Sequence, residues 1–201
     1  QKYSLSVSSG TEKTKLFAST SYNREEGLLN NENLNRYSLR LNLDQQIFSW
    51  AKVGFTSNLV YRDLNSGVKN TFTKSLSAIP LGDASTEKGE INHEYITGQY
   101  SPMSDFIENQ YVDNTRSTYL NVSGYVELTP VKDLTFTSRV NGTLNHSRRG
   151  QYWGEKCNAN RPSYAGSPHA SITINNAWNY TWENILAYNT TIAKDHTLGG
   201  S

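Results

Sequence analysis

The sequence predicts an all-β chain, an antiparallel up-and-down meander of about seven long strands and the start of an eighth. Three observations carry that prediction. Long stretches alternate apolar and polar residues with a period of two, the pattern of a strand with one greasy and one wet face. Turn-forming residues separate these stretches. The connections between them alternate short and long along the whole chain.

The elements follow in order. Residues 2–8 alternate weakly, Tyr3, Leu5 and Val7 opposite Ser4, Ser6 and Ser8, and Gly10-Thr11-Glu12-Lys13 turns the chain. Residues 15–23 carry Leu16, Ala18, Thr20 and Tyr22 on one face, with Phe17 blurring the other. A polar loop at 27–33 leads into the clearest hairpin, 35–63. Its first arm sets Tyr37, Leu39, Leu41 and Leu43 against Arg36, Ser38, Arg40, Asn42 and Asp44. Its second sets Ala51, Val53, Phe55, Ser57, Leu59 and Tyr61 against Lys52, Gly54, Thr56, Asn58 and Arg62, with Val60 the exception. Residues 64–115 lack sustained alternation, with a helical turn expected at 74–79 before Pro80. A connection of that length is commonly functional.

Order returns at Thr118, Leu120, Val122, Gly124, Val126 and Leu128, opposed by Tyr119, Asn121, Ser123, Tyr125 and Glu127. Pro130-Val131-Lys132-Asp133 reverses the chain into Leu134, Phe136, Ser138, Val140, Gly142 and Leu144, against Thr135, Thr137, Arg139, Asn141, Thr143 and Asn145. Residues 147–176 read as a second long loop, rich in Gly, Pro, Tyr and Asn. A strand from about Trp178 to Thr190 follows, interrupted by Asn184, and Ala193-Lys194-Asp195-His196 makes a last turn.

Strand length and aromatic placement choose the environment of the apolar face. Each arm of the clearest hairpin runs about ten residues or more, close to the ~9–11 of a tilted membrane strand. Tyr37 and Tyr61 fall at one end of the apolar band and Phe48 and Trp50 at the other, a girdle arrangement. Because antiparallel strands alternate direction, all short turns fall on one side and all long loops on the other, as in outer-membrane barrels. Arg36, Arg40, Arg62, Arg139, Asp44 and Glu127, with Lys52, fall opposite the apolar bands, where they would line a wet lumen. The other reading is a self-contained β-rich binding domain, such as an adhesin or sugar-binding sandwich, whose charged residues cover a solvated sheet face.

Composition narrows the function classes. Of 201 residues 35% are hydrophobic, and no apolar run is long enough for a transmembrane helix, which leaves a β-barrel open. The net charge of +1 gives no electrostatic case for nucleic acid. Cys157 is the single cysteine, which removes an internal disulfide or a multi-cysteine zinc site. His93, His146, His169 and His196 are far apart, and no nucleophile elbow, zinc-protease motif or phosphate loop occurs, so we expect no cofactor and no enzyme. Tyr152, Trp153, Tyr164 and Trp178 concentrate aromatic rings in or beside the second loop, where they would stack on sugars, meet a protein partner or form the loop's own small core. Arg148 and Arg149 would meet an acidic ligand or simply solvate the loop base. The Asn-x-Ser/Thr triplets at Asn121, Asn141 and Asn145 are expected by chance in strands of this composition.

Short motifs in order along nearly the whole chain resemble one family. They include residues 8–15 (Ser-Ser-Gly-Thr-Glu-Lys-Thr-Lys), Phe17-Ala18-Ser19, Glu26-Gly27, Arg36-Tyr37 and Arg40-Leu41-Asn42-Leu43-Asp44. Trp50 with Lys52-Val53-Gly54, Tyr111-Val112-Asp113-Asn114, Leu128-Thr129-Pro130, Leu134-Thr135-Phe136, Ser147-Arg148-Arg149-Gly150-Gln151-Tyr152 and Tyr180-Thr181-Trp182-Glu183-Asn184 continue the set. It is similar to the early barrel of SusC/RagA-like TonB-dependent transporters of Bacteroidetes outer membranes. The resemblance implies a 22-stranded barrel with a plug, a TonB box, TonB/ExbB/ExbD energisation, and a SusD-like surface lipoprotein as lid. It also implies import of oligosaccharides or peptides, and an outer-membrane location. Residues 1–201 are then expected to be a partial barrel without plug or TonB box, a piece of a longer protein. Strands belonging to so wide a barrel cannot close on themselves, which predicts an open, curved sheet that aggregates in water.

Overall fold

The computed structural model describes residues 1–29, 31–68, 71–160, 167–192 and 196–201. Eight strands form one antiparallel sheet: β1 (Lys2–Gly10), β2 (Thr14–Glu26), β3 (Asn33–Phe48), β4 (Ala51–Asn65), β7 (Tyr111–Val131), β8 (Leu134–Trp153), β9 (His169–Ile192) and β10 (His196–Gly200). Their order is β1-β2-β3-β4-β7-β8-β9-β10, each paired to its sequence neighbour within the sheet. Among the described residues β1 and β10 are its two edges, so the sheet is open, as expected. Between β4 and β7 lie α1 (Thr71–Leu76), a small hairpin of β5 (Glu94–Ile96) and β6 (Gln99–Tyr100), and a 3-10 turn at Pro102–Phe106.

The register shows why these residues form this sheet. Cross-strand partners share a face, so one row runs Tyr3, Tyr22, Tyr37, Tyr61, Thr118, His146, Asn176 across seven strands. The next apolar row runs Leu5, Thr20, Leu39, Leu59, Leu120, Leu144, Trp178. Two rows further on, Ser9, Leu16, Leu43, Phe55, Gly124, Val140 and Trp182 align. A slip of one residue would move each strand's apolar set to the opposite side, so the shared pattern pins the register. Phe17 and Val60 fall on the polar face, Phe17 opposite Asn42, and Val60 between Ser38 and Tyr119.

No second layer covers the apolar side. The only buried hydrophobic residues among those described are Ala51, Val68 and Cys157, while Trp178, Tyr180 and Trp182 are 70%, 70% and 68% exposed. In water such a face is strongly unfavourable, since each large side chain contributes about 1.5–3 kcal/mol when removed from solvent. The small buried core sits in the connections instead, with Val68, Thr71, Ser101, Ser104, Asp105 and Cys157. Asp105 Oδ1 accepts from Cys157 Sγ at 2.9 Å and from the Ala159 amide at 3.1 Å, tying the 3-10 turn to the 154–160 segment.

Three expectations are corrected in extent. Strand β4 runs to Asn65 and β7 begins at Tyr111, so the first connection is shorter than 64–115, and β8 runs to Trp153 and β9 begins at His169, so the second is shorter than 147–176. Strands β7 and β8 are 21 and 20 residues long, well past the stretches that alternate cleanly in the sequence. Toward the long-connection end of these strands both faces carry mostly polar residues, so the period-two contrast disappears from the sequence while the hydrogen-bond ladder continues. The helix lies at Thr71–Leu76 rather than 74–79, because Ile79 precedes Pro80 and is biased away from helical backbone.

Candidate functional site

Two clusters on the polar face are assembled by register rather than by sequence proximity. At the short-turn end, Asp44, Gly54, Tyr125, Arg139 and Glu183 form one row. The Tyr125 ring lies across Gly54, whose missing Cβ leaves that space, and its hydroxyl donates to Asp44 Oδ1 at 2.6 Å. Lys52 and Arg139 approach the ring at 5.4 and 5.7 Å from its centroid. Between this cluster and the arginines Arg36, Arg40 and Arg62 lies a carpet of Asn, Ser and Thr. Within it Ser123 Oγ donates to Asn141 Oδ1 at 2.6 Å. Arg36 and Arg62 are direct cross-strand partners, and Arg36 with Arg40 borders a groove of about 250 Å³ lined by Ser19, Ser21, Ser38 and Asn58. Arg36, Arg40, Arg62, Arg139, Asp44 and Glu127 all occupy this one face.

At the long-connection end, Asp113 is the organising residue. Its carboxylate is buried and takes a bidentate pair from Arg149, Nε at 2.8 Å and Nη2 at 2.5 Å, with Gln151 Nε2 at 3.3 Å. Its backbone carbonyl accepts from the Ser66 amide at 2.8 Å, fixing where the 66–110 connection leaves the sheet. Beside it Tyr111 meets Trp153 edge-on at 6.3 Å, and Trp153 stacks on His169 at 4.4 Å. Burial, reinforced by the Asp113 carboxylate, pushes the Tyr111 phenol up to about 12, and the same carboxylate raises Arg149 above its ordinary value. A cleft of about 390 Å³ opens here between Asn33, Asn65, Phe106, Asn109, Tyr111 and Asp113. The Phe106 and Tyr111 rings, the asparagine amides and the Asp113 carboxylate around one cleft suit recognition of a small ligand with polar groups.

The structure divides the second aromatic and basic group that the sequence placed in one loop. Arg148, Arg149, Tyr152 and Trp153 stand on β8, corrected from loop positions because that strand runs on to Trp153, and Trp178 stands on β9, which begins at His169. Trp153 and Arg149 share the polar face with Asp113 and Tyr111, whereas Arg148, Tyr152 and Trp178 are on the other face. Trp178 stacks on Tyr180 at 5.9 Å within the apolar band. Tyr164 lies outside the described residues. Tyr37 and Tyr61 pair as expected and extend into a four-strand ladder, with ring centroids 6.4 Å apart for Tyr3–Tyr22, 4.9 Å for Tyr22–Tyr37 and 6.1 Å for Tyr37–Tyr61. Phe48 and Trp50 stack at 5.3 Å at the other end. Asp113 was missed by sequence reading, because its partner Arg149 is 36 residues away and only the β7–β8 register joins them.

Comparisons with known proteins agree with this geometry. No family model matches the chain. A curated relative, TonB-dependent receptor P26 of Formosa agariphila, is 24% identical over 204 residues, covering 98% of this chain and 20% of that protein. The chain therefore spans about a fifth of that relative's length. Among solved structures, a chain of the RagAB peptide importer in its closed-closed state superposes with a TM-score of 0.74 at 21% identity, covering 98% of this chain and 23% of the other. The open-open state gives 0.73 at 19% identity, with the same coverage. The fold is that of a sector of these importers' β-structure, and the resemblance read from the sequence holds over nearly the whole chain.

Proposed function

We propose that the chain is a sector of the barrel of an outer-membrane, SusC/RagA-like TonB-dependent importer. The observation that carries this reading is the single open sheet whose one face is apolar across seven consecutive strands, with nothing packed on it among the described residues. A sandwich would bury Trp178, Tyr180 and Trp182 between two sheets, so the soluble binding-domain reading is the weaker one. In the importer the apolar face meets lipid hydrocarbon between two aromatic rims, and the Asn-, Ser- and Thr-rich face lines a hydrated lumen. The short turns at 11–13, 49–50 and 132–133 face the periplasm, and 66–110 and 154–168 face outside.

The Asp113–Arg149 lock and the Tyr111–Trp153–His169 stack hold the outer connections over the lumen mouth, where a SusD-like lipoprotein would dock as a lid. Cargo is an oligosaccharide or peptide, and TonB with ExbB/ExbD supplies the energy through other parts of the full-length protein. The chemistry of this sector is recognition and guidance, without bond making.

Topology labelling tests the reading on the full-length protein in cells. An epitope inserted at Gly89, in the long connection, should be labelled by antibody on intact cells. The same epitope between Lys132 and Asp133 should be reached only after the outer membrane is permeabilised. Equal access at both positions in intact cells would overturn the proposal. Recovery of a lipoprotein with the detergent-solubilised protein tests the lid separately.

A further inference from the structure

The apolar face changes character one step beyond its aromatic row, and that step carries a binding site. In β7 and β8 the residues level with Tyr61 are Thr118 and His146. Two residues further, about 7 Å along each strand, Arg116 and Arg148 stand directly opposite one another on the same face. Like charges in that relation repel. Asp63 lies 3.5 Å from Arg116 and is also held by Asn114 Nδ2 at 2.6 Å, whereas Arg148 has no carboxylate within ion-pair distance among the described residues. Two guanidiniums against one carboxylate leave a positive charge in excess. The Arg148 guanidinium lies over Gly150, whose lack of a side chain opens the surface there. On the next strand Ile174 is the direct partner of Arg148 and Ile172 of Gly150, and they are 55% and 60% exposed. Arg116, Arg148, Gly150 and Ile172, with Asp63 and Asn114, border a cavity of about 750 Å³ just outside the apolar band.

We propose that this cavity holds the headgroup of a phosphorylated lipid of the outer leaflet, with its phosphate between Arg116 and Arg148 and its acyl chains running inward past His146 and Trp178 along the apolar band. The inference rests on the membrane reading above, since it needs the apolar face to meet lipid. Continuity with that face selects a lipid over a soluble ligand. An oxyanion selects guanidinium pairs because it accepts two parallel hydrogen bonds from each. Basic residues just outside a hydrocarbon band are where anionic headgroups lie.

Native mass spectrometry of the full-length protein in neutral detergent tests the site, with monophosphorylated lipid A, the same lipid enzymatically dephosphorylated, and inorganic phosphate as probes. The phosphorylated lipid should form its adduct at least about tenfold more readily than the dephosphorylated one. Arg148→Glu combined with Arg116→Gln should abolish that preference. Arg24→Gln should keep it, because Arg24 is on the same face two residues beyond Tyr22 but is already paired with Glu26 at 2.8 Å. Equal adducts with both lipids, or retention of the preference in the double variant, would overturn the proposal. So would adducts with inorganic phosphate alone, or a double variant that weakens protein association while leaving lipid preference intact. Flotation with neutral phosphatidylcholine vesicles separates the two readings: a protein that floats but shows no phosphate preference defeats only the lipid site.

Discussion

Replacing Arg149 by alanine leaves the Asp113 carboxylate buried with only Gln151 beside it. Removing one member of a buried pair costs about 3–5 kcal/mol. Here Asp113 is 2% exposed but Arg149 is 41% exposed, so solvent already screens part of the attraction. The residual Gln151 hydrogen bond at 3.3 Å softens the loss further. Together these bring the expected cost to about 2–3 kcal/mol. The damage should be local, because the Asp113 backbone anchors Ser66 and the Gln110 backbone anchors Gly154 at 2.7 Å. Hydrogen exchange by mass spectrometry on the full-length protein in detergent reads this directly. Peptides covering 66–68 and 154–160 should lose protection by about 30- to 150-fold, while the β3–β4 hairpin is unchanged. Arg149→Lys should fall between, keeping charge but losing the two-pronged geometry. The double variant Asp113→Asn, Arg149→Met should lose much less than the sum of its single changes. A loss under about threefold in the alanine variant, or strict additivity in the double variant, would refute the assignment of Asp113 as the anchor.

Three further outcomes follow from the same geometry. Leu120→Arg, on the apolar face, should cost about 2–4 kcal/mol in the urea midpoint of refolding into bilayers, whereas Asn121→Arg on the neighbouring polar position should cost under about 0.5 kcal/mol. Gly54→Ala drives a methyl into the Tyr125 ring and should destabilise by about 1–3 kcal/mol in the same assay; Gly54→Ala with Tyr125→Ser should recover most of that loss. The Tyr111 phenol, raised to about 12 from 10, stabilises the folded form fully below pH 10, and that contribution is lost as the pH rises toward 12. The difference in phenolate absorbance between the native protein and Tyr111→Phe should therefore appear near pH 12, and an onset at pH 10 would contradict the buried placement.

The strands with one apolar face were legible because a sheet with one apolar and one polar side imposes a period of two. Leu39, Leu41 and Leu43 announce their face, and their partners Leu59, Ser57 and Phe55 confirm it through the β3–β4 register. The upper halves of β8 and β9 were not legible, since Arg148, Gly150 and Tyr152 on one side and Arg149, Gln151 and Trp153 on the other offer no contrast. Only Ile172 and Ile174, spaced like Trp178 and Tyr180, hinted that β9 begins near His169. The polar-face arginines of the β3–β4 hairpin were legible for the same reason as the leucines, being their complement. The Asp113–Arg149 and Asp44–Tyr125 contacts were not, because they depend on register between residues 36 and 81 positions apart. Sequence spacing carries no record of such pairs until the strands are aligned.

Spin-label accessibility along 37–43 in the full-length protein, reconstituted in vesicles with Cys157 replaced by serine, measures the orientation of the sheet most directly. Labels at Tyr37, Leu39, Leu41 and Leu43 should collide preferentially with oxygen dissolved in the bilayer, and labels at Ser38, Arg40 and Asn42 with a water-soluble nickel chelate. The two profiles should alternate out of phase with a period of two. Uniform access to the chelate at all seven positions, or exclusion of both reagents from the leucine positions, would contradict a face turned toward lipid.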